Sequence, residues 1–179
     1  MKIMVETSAR HVHLTQEHLD ILFGKGYALT PKKDLSQPGQ FACVEKVEVV
    51  GPKGSLKMSI LGPVRPETQI EISKTETRTL GIDAPLRMSA DLEGTPGCKI
   101  IGPKGEITVD KGVIVAKRHA HFTPDDAKVF GVTDGQAIQI KLDYNGRSLI
   151  FGDVIARVSK TAGLAVHIDT DEANAAQIK

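Results

Sequence analysis

The sequence is short of aromatic residues, of cysteine and of net charge, and each shortage bears on a class of protein. Its 179 residues include no tryptophan, two tyrosines and five phenylalanines. Valine, isoleucine and leucine are nevertheless plentiful and evenly spread, so disorder is not indicated. The two cysteines, Cys43 and Cys98, provide no disulfide framework, which favours a reducing cytosol. A net charge of +1 argues against a nucleic-acid-binding protein, which would carry a basic excess.

Several signals of location and function are also missing. No apolar run is long enough to span a bilayer, and the N-terminus lacks the apolar stretch of a signal peptide. The sequence therefore predicts a cytoplasmic protein with no membrane partner. It also lacks a Ser-His-Asp order, a glycine-rich phosphate loop and a dinucleotide fingerprint. Binding of a small anion needs only one or two well-placed arginines, and the composition leaves that open.

The most informative feature that is present is a doubled Arg-His-x-His motif. It occupies positions 10–13 and again positions 118–121, which lie 108 positions later. The surroundings repeat as well, because a threonine follows each copy and a Phe-Gly pair lies shortly beyond it. Four of the six histidines therefore occupy two equivalent places. Imidazole is the commonest protein ligand for zinc and its neighbours, so the repeat favours a metal site built from two related halves.

Turn signals divide most of the chain into short strands. Alternating runs of apolar and polar residues flank Gly-Pro-Lys-Gly segments and an Asn-Gly pair, which are typical of hairpin turns. The predicted hairpins pair 46–50 with 55–60, 99–101 with 106–109, and 138–142 with 148–151, the last across Asn145-Gly146. Further short strands are predicted near 70–72, 113–116 and 164–168.

Helices are predicted to be few and short. Thr15 and Thr123 resemble N-caps followed by acidic residues, and Asp171 opens a third short helix near the C-terminus. Many short strands with Gly and Pro turns indicate a mainly β fold. The internal repeat favours two related β-barrels, in regions 1–90 and 91–179. The boundary falls somewhere in 83–113, and an exchange of segments between the barrels is allowed.

The histidine pairs suggest how a metal would be held. If each His-x-His lies in extended backbone, its two imidazoles project from the same side of the strand and can bind one ion. A catalytic metal usually has three protein ligands and an open position. The candidates for a third ligand are Glu71, His167, His18, Cys43 and Cys98.

Each candidate also has an ordinary structural interpretation. His167 lies in an apolar strand-like run, where a neutral core histidine is common. Glu71 alternates with apolar residues, as an outward-facing strand carboxylate would. His18 has no counterpart in the second half of the chain and is predicted to be a surface residue. The two cysteines lack Cys-x-x-Cys spacing and are predicted to be buried thiols.

Arg65 is the most suggestive cation in the sequence. It stands between Pro63 and Pro66, in backbone that is stiff and unsuited to regular structure. A rigidly mounted guanidinium suits bidentate recognition of phosphate or carboxylate, although a solvated loop arginine has the same pattern. Arg10 and Arg118, which precede the histidines, either add positive potential or pair with nearby acids.

Four separated segments together resemble a known family. They are 8–15 (SARHVHLT), 61–65 (LGPVR), 84–89 (APLRMS) and 116–121 (AKRHAH). In order and in spacing they are similar to the phosphate propanoyltransferases of bacterial microcompartments, the PduL type of phosphotransacylase. The resemblance covers nearly the whole chain and includes both His-x-His pairs.

The resemblance implies an activity, a fold and a set of site residues. The family interconverts a short acyl-CoA plus phosphate with an acyl phosphate plus coenzyme A, on a pair of β-barrels with two divalent metal ions, usually zinc. By position it implies that one metal is held by His11, His13 and Glu71, and the second by His119, His121 and His167. Arg65 matches a phosphate-binding arginine, and Ser89 and Arg157 match polar positions near the active site.

The resemblance also bears on mechanism and location. Phosphate is already a nucleophile, so it can attack the thioester directly without a covalent acyl-enzyme. This would explain why the sequence offers metal ligands and an arginine but no evident nucleophile motif. The chain begins almost directly at the first predicted barrel, without the N-terminal extension that often directs encapsulation. A free cytoplasmic enzyme is therefore expected, and homo-oligomerisation is left open.

Two other readings compete with the phosphotransacylase. A cupin-like dioxygenase or isomerase also uses His-x-His and a carboxylate on a β-barrel, and Glu17 is close enough in sequence to serve. The polar residues after Thr15 nevertheless predict a helix, whereas cupin ligands would continue along strands. The non-enzymatic alternative is a scaffold module whose histidines staple two barrels together through metal.

Overall fold

A computed structural model describes residues 2–143 and 146–178. This part of the chain is 41% strand and 17% helix, which confirms a mainly β protein with few, short helices. The strands are β1 (Val5–Ser8), β2 (His11–His13), β3 (Pro31–Asp34), β4 (Phe41–Val50), β5 (Ser55–Gly62), β6 (Gln69–Glu71), β7 (Leu86–Arg87), β8 (Cys98–Ile101), β9 (Glu106–Val109), β10 (Val113–Ala116), β11 (His119–Phe122), β12 (Ala137–Leu142), β13 (Leu149–Val158) and β14 (Ala165–Asp169). The helices are α1 (Gln16–Phe23), α2 (Lys74–Leu80), α3 (Pro124–Phe130) and α4 (Thr170–Ala176).

The chain forms two compact units that interleave along the sequence. The first-pair unit, which holds His11 and His13, consists of Arg10–Leu35 and Gly39–Ala116. The second-pair unit, which holds His119 and His121, consists of Met1–Ala9, Ser36–Pro38 and Lys117–Lys179.

These units differ from the predicted regions 1–90 and 91–179. Residues 91–116 belong with the first histidine pair, because β10 pairs in parallel with β6. Residues 2–9 belong with the second pair, because β1 pairs in parallel with β14. Strand pairing between segments that are distant in sequence therefore decides the division, and no local turn signal marks it.

The first-pair unit is built on a nine-stranded sheet. Its strands run in the order β7-β10-β6-β2-β5-β4-β8-β9, and β3 pairs with the N-terminal end of β4. Burial alternates along β4, where Cys43, Val47 and Val49 point inward, as expected for a strand with one face on the core. Leu19 and Leu22 of α1 complete this core from the helical side.

The second-pair unit is built on a five-stranded sheet with the order β1-β14-β11-β13-β12. Its core contains Phe122, Val154 and Ile168, with Ala173 of α4 packed against them. In the part of the chain that the structure describes, strand pairing leaves both sheets open at their ends. The closure of each sheet into a β-barrel therefore stays a prediction.

The predicted hairpins are present. β4 pairs with β5, β8 with β9 and β12 with β13, each antiparallel. The predicted Asn145-Gly146 turn falls partly on residues 144–145, which lie outside the described residues. The strands predicted near 70–72, 113–116 and 164–168 correspond to β6, β10 and β14. The short strands β1, β3 and β7 have no equivalent among the predictions, because they are brief and carry little alternation.

The two Gly-Pro-Lys-Gly turns each donate a backbone hydrogen bond to the C-terminal end of a helix. The backbone N–H of Lys53 donates to the carbonyl of Leu80 at the end of α2, and that of Lys104 donates to the carbonyl of Leu22 near the end of α1, each at 3.0 Å. A Cβ atom on Gly51 would lie 2.3 Å from the Leu80 carbonyl oxygen. The repeated turn therefore caps helix C-termini, and its first glycine permits the close approach.

Capping residues define where the helices begin. Thr15 and Thr123 accept hydrogen bonds from the backbone N–H of His18 and Asp126, which confirms both predicted N-caps. The last helix begins at Thr170, with Asp169 as its N-cap, one residue before the predicted start at Asp171. Helix α2 was not predicted, although Ser73 and Glu76 form a capping box there. None of the helices described is long and apolar enough to cross a membrane.

Candidate active site

Each His-x-His segment forms a central strand with the same two kinds of neighbour. β2 lies between the parallel strand β5 and the antiparallel strand β6. β11 lies between the parallel strand β13 and the antiparallel strand β14. The antiparallel register places Glu71 opposite His11, and His167 opposite His119. The predicted repeat is thus a repeat of three-stranded units. Glu71 on β6 and His167 on β14 occupy equivalent antiparallel strands in them.

The first cluster consists of His11, His13 and Glu71, all of them buried. One donor atom from each lies within 4.8 Å of the other two. His11 Nε2 is 3.6 Å from Glu71 Oε2, and His13 Nδ1 is 3.3 Å from the carbonyl oxygen of Leu61. A nitrogen and oxygen donor set of this kind suits a divalent ion of the zinc type.

The protonation preferences of the first cluster follow from its burial. Burial lowers the pKa of His13 to about 3, and the positive charges of His11 and Arg65 act in the same direction. Burial alone would raise the pKa of Glu71, but the neighbouring His11 and His13 hold it well below its usual range. The cluster therefore favours a neutral His13 imidazole and an ionised carboxylate, the forms that bind cations.

The second cluster consists of His119, which is buried, and of His121 and His167, which are partly buried. Their donor atoms also lie within 4.8 Å of one another. The ring centroids are 4.9 Å apart for His119 and His121, 5.2 Å for His119 and His167, and 5.0 Å for His121 and His167. His119 Nδ1 lies 2.8 Å from the carbonyl oxygen of Lys117. Burial, with the charges of His119 and His167, lowers the pKa of His121 to about 3.

Of the five third-ligand candidates, two lie beside a histidine pair: Glu71 in the first cluster and His167 in the second. His18 lies outside both clusters, at a half-buried position of α1, and its Nδ1 lies 2.7 Å from Thr68 Oγ1. Cys43 and Cys98 are buried in the core, and burial raises the pKa of their thiols to about 11 and about 12. Glu17, which the cupin reading would use, is exposed in the first turn of α1.

Arg65 belongs to a hydrogen-bonded chain that leads to the first cluster. Its Nη1 donates to Ser89 Oγ at 3.2 Å, and Gln69 Nε2 donates to the same oxygen at 2.9 Å. Gln69 also donates to Glu71 Oε1 at 2.5 Å. The backbone N–H of Arg65 donates to the carbonyl of Leu14 at 2.8 Å, which fixes the loop beside the histidine strand.

Gln69 is a site residue that the sequence analysis missed. It lies opposite His13 in the antiparallel register of β2 and β6, and its side chain is buried. The available signal was its spacing, because a residue two positions before Glu71 on a strand points to the same side. A glutamine in a short apolar strand was too common a pattern to single out.

Arg157 and the arginines of the motif take two different roles. Arg157 lies beside His121 in the register of β13 and β11, and its charge contributes to the lowered pKa of His121. Arg10 pairs with Glu76 at 2.6 Å, and Arg118 pairs with Glu172 at 2.8 Å. Of the two roles considered for the motif arginines, the structure shows pairing with nearby acids.

Comparison with known proteins identifies the family. The family model described as Phosphate propanoyltransferase matches residues 4–179. A phosphate propanoyltransferase of Thermotoga maritima is 53% identical over 177 residues, which cover 98% of this chain and 84% of the relative. One of Clostridioides difficile is 55% identical over 174 residues, which cover 97% and 83%. One of Listeria monocytogenes is 48% identical over 178 residues, which cover 99% and 83%.

These matches extend over nearly the whole chain, at identities well above those at which a family assignment becomes doubtful. They agree with the resemblance carried by the two His-x-His pairs and by the segment that contains Arg65. The chain therefore belongs to the phosphate propanoyltransferase family and is an acyltransferase of the phosphotransacylase type.

Proposed function

We propose that the protein interconverts a short-chain acyl-CoA plus phosphate with an acyl phosphate plus coenzyme A, by direct attack of phosphate at a two-metal site. The observation that carries the metal assignment is the pair of three-residue clusters built from equivalent strands. In each cluster the donor atoms lie within 4.8 Å of one another. The family assignment supports the reaction class.

The protein would hold two divalent ions, for which zinc is the first candidate. One would be bound by His11, His13 and Glu71, and the other by His119, His121 and His167. Three protein donors in each set would match the number that catalytic rather than structural zinc sites use. Such an ion, when bound, polarises a carbonyl oxygen and stabilises negative charge that develops there. We also propose that each of the two sheets closes into a β-barrel, so that the repeated units form a pair of related barrels.

The protein itself must orient an anionic nucleophile. A phosphate oxygen attacks the thioester carbonyl carbon, the carbon–oxygen bond forms, and the carbon–sulfur bond breaks so that the electron pair leaves with the coenzyme A sulfur, which takes a proton from solvent or buffer. Arg65 binds the phosphate through its planar fork and partly neutralises it. This positions the nucleophile and lowers the entropic part of the barrier.

Ser89 supports Arg65 in this role. Its Oγ accepts hydrogen bonds from Arg65 and from Gln69, so its own hydroxyl proton is directed elsewhere and can be donated to the bound anion. Gln69 is held in turn by the backbone N–H of Ala90, which donates to Gln69 Oε1 at 2.8 Å. Arg157, beside His121, would provide positive charge for the second anionic substrate.

A thiol-release assay tests the reaction class. Purified protein is mixed with acetyl-, propanoyl- or butanoyl-CoA, with and without phosphate, and free thiol is measured together with acyl phosphate trapped by hydroxylamine. We expect stoichiometric release of coenzyme A and formation of acyl phosphate, both dependent on phosphate. Release of coenzyme A at the same rate without phosphate would indicate a thioesterase and would contradict the proposal. The relative rates of the three substrates define the acyl preference.

A further inference from the structure

A carboxylate lies directly beside the second cluster although it is not one of its three members. Glu6 stands on β1, in parallel register with His167 on β14. His167 is in turn opposite His119 on β11. Glu6, His167 and His119 therefore form a row across three adjacent strands of the second-pair unit.

The side chains in this row are in contact. Glu6 Oε2 lies 3.1 Å from His167 Nε2, and the His167 side chain is only 19% exposed. Ser36 Oγ donates to Glu6 Oε2 at 2.5 Å and lies 3.2 Å from His167 Nε2. Glu6 is therefore anchored by a serine while it contacts the imidazole, so its position relative to His167 is defined.

The position that corresponds to Glu6 in the first-pair unit is occupied by an apolar residue. The equivalent of β1 in the first-pair unit is β10, because each strand precedes a His-x-His pair and pairs in parallel with the third-ligand strand. In that register Ile114 lies beside Glu71, where Glu6 lies beside His167. The first cluster thus has a carboxylate as its third member and an apolar neighbour. The second has an imidazole as its third member and a carboxylate neighbour.

Charge and hydrogen bonding explain why the carboxylate is a member of the first cluster but a neighbour of the second. Each cluster provides two imidazoles from its His-x-His strand and access to one carboxylate, so each balances a divalent cation to the same extent. Histidines that bind metals usually donate their other ring N–H to a carboxylate or a carbonyl, which sets the tautomer and the ring orientation. His13 faces the Leu61 carbonyl and His119 faces the Lys117 carbonyl in this way.

We propose that Glu6 is the positioning residue of the second cluster: with Ser36, it orients the His167 ring and supplies the carboxylate that the cluster itself lacks. This inference rests on the proposed function, in which His167 holds the second ion. Glu6 acts through His167 and is not itself a catalytic residue. Its loss should therefore weaken one of two metal equivalents and leave the other unchanged.

The test measures zinc affinity directly. Metal-free wild-type protein, Glu6→Ala, Glu6→Gln and Ser36→Ala are titrated with zinc in competition with a chromophoric chelator, and the cobalt-substituted proteins are compared by visible absorption. Glu48→Gln is the matched control, because Glu48 is also a strand carboxylate that accepts a hydrogen bond from a serine, Ser55, and it lies outside both clusters. Circular dichroism of the metal-free variants checks the fold.

We expect Glu6→Ala to weaken one zinc equivalent by roughly 10- to 100-fold, with a changed cobalt spectrum, while the other equivalent keeps its affinity. Glu6→Gln should have an intermediate effect, Ser36→Ala a smaller one, and Glu48→Gln none. Unchanged affinity of both equivalents in Glu6→Ala, or equal weakening of both, would overturn the assignment of Glu6 while wild-type binding of two equivalents still stood. Wild-type protein that binds fewer than two equivalents would instead overturn the metal part of the proposed function.

Discussion

Arg118 donates a 2.8 Å hydrogen bond to Glu172, which lies five positions after His167, and this contact has a counterpart elsewhere in the chain. Arg10 bonds in the same way to Glu76, which lies five positions after Glu71. In both cases the glutamate is the third residue of a helix that follows the third-ligand strand and closes its capping box. The Arg-His-x-His motif therefore ties each histidine strand to the helix after its partner strand.

The Arg118–Glu172 pair should stabilise the fold measurably. Its side chains are 27% and 20% exposed, whereas Arg10 is 42% exposed in the equivalent pair. A double-mutant cycle with Arg118→Met and Glu172→Gln should give a coupling free energy of about 1–2 kcal/mol. The cycle Arg10→Met with Glu76→Gln should give less, because solvent screens the more exposed arginine. Urea unfolding of metal-free protein, followed by circular dichroism, measures both, and a coupling near zero for Arg118–Glu172 would contradict the prediction.

Metal content should divide between the two clusters. Protein purified with zinc available should contain close to two equivalents, and His11→Ala or His119→Ala should each lose mainly one. His18→Ala is the matched control, because it removes an imidazole of the first-pair unit that lies outside the cluster. Elemental analysis gives the stoichiometry. Retention of both equivalents in His11→Ala and in His119→Ala would rule out the assigned ligands.

Initial rates should show that acyl-CoA and phosphate are bound together. Direct attack by phosphate requires both substrates at once, so double-reciprocal plots should intersect. Cys43→Ala and Cys98→Ala should keep most activity, because both thiols are buried and their pKa values are raised to about 11 and about 12. Parallel lines combined with an inactive cysteine variant would point instead to a covalent acyl-enzyme.

Arg65 should matter for phosphate more than for the fold. Arg65→Ala should lower the efficiency with phosphate by roughly a hundredfold, since a charged hydrogen-bonding partner is lost. Arg65→Lys keeps the charge but loses the planar fork, and should not restore wild-type kinetics. Arg78→Ala, an exposed arginine on α2, is the control. Steady-state kinetics at varied phosphate measure the effect, and near-normal values for a folded Arg65→Ala would leave the phosphate to another residue.

The stability of the metal-free protein should fall as the pH is lowered from about 6.5 towards 3. His13 has a folded pKa of about 3, below its ordinary value of 6.5, so the unfolded state binds the extra proton. The stability it contributes is complete above pH 6.5 and is lost as the pH falls through that range. For this buried residue the slope is at most about 1.4 kcal/mol per pH unit.

Urea unfolding at several pH values above 4.5 tests this effect before carboxylates titrate strongly. His13→Gln should flatten the dependence relative to the wild type, and His121→Gln should do so to a smaller extent because its side chain is less buried. Because the chain has no tryptophan, circular dichroism is the suitable signal. An unchanged slope in His13→Gln would show that folding does not lower the pKa of His13.

The sequence by itself determined most of the local elements and the family to which the chain belongs. Alternation and turn chemistry predicted the three hairpins, and threonine caps predicted α1 and α3, because these features depend on residues close together in the chain. The doubled histidine motif and the segment around Arg65 identified the family, since their residue types and order are specific. The Ser73 and Glu76 capping box of α2 is a local signal as well, although it does not stand out from the polar residues around it.

Only the tertiary structure decided which distant segments pair. The residue patterns left five candidates for the third ligand, and only the family resemblance implied Glu71 and His167. Their proximity to the histidine pairs depends on antiparallel registers between positions 60 and 48 residues apart, and no local preference encodes such a register. The unit boundaries also depend on pairing between distant segments. β1 precedes the first histidine strand but pairs with β14 of the second-pair unit, and β10 precedes the second histidine strand but pairs with β6 of the first-pair unit. Glu6 could not be recognised beside His167 for this reason, since 161 positions separate them and only the pairing of β1 with β14 brings them into contact.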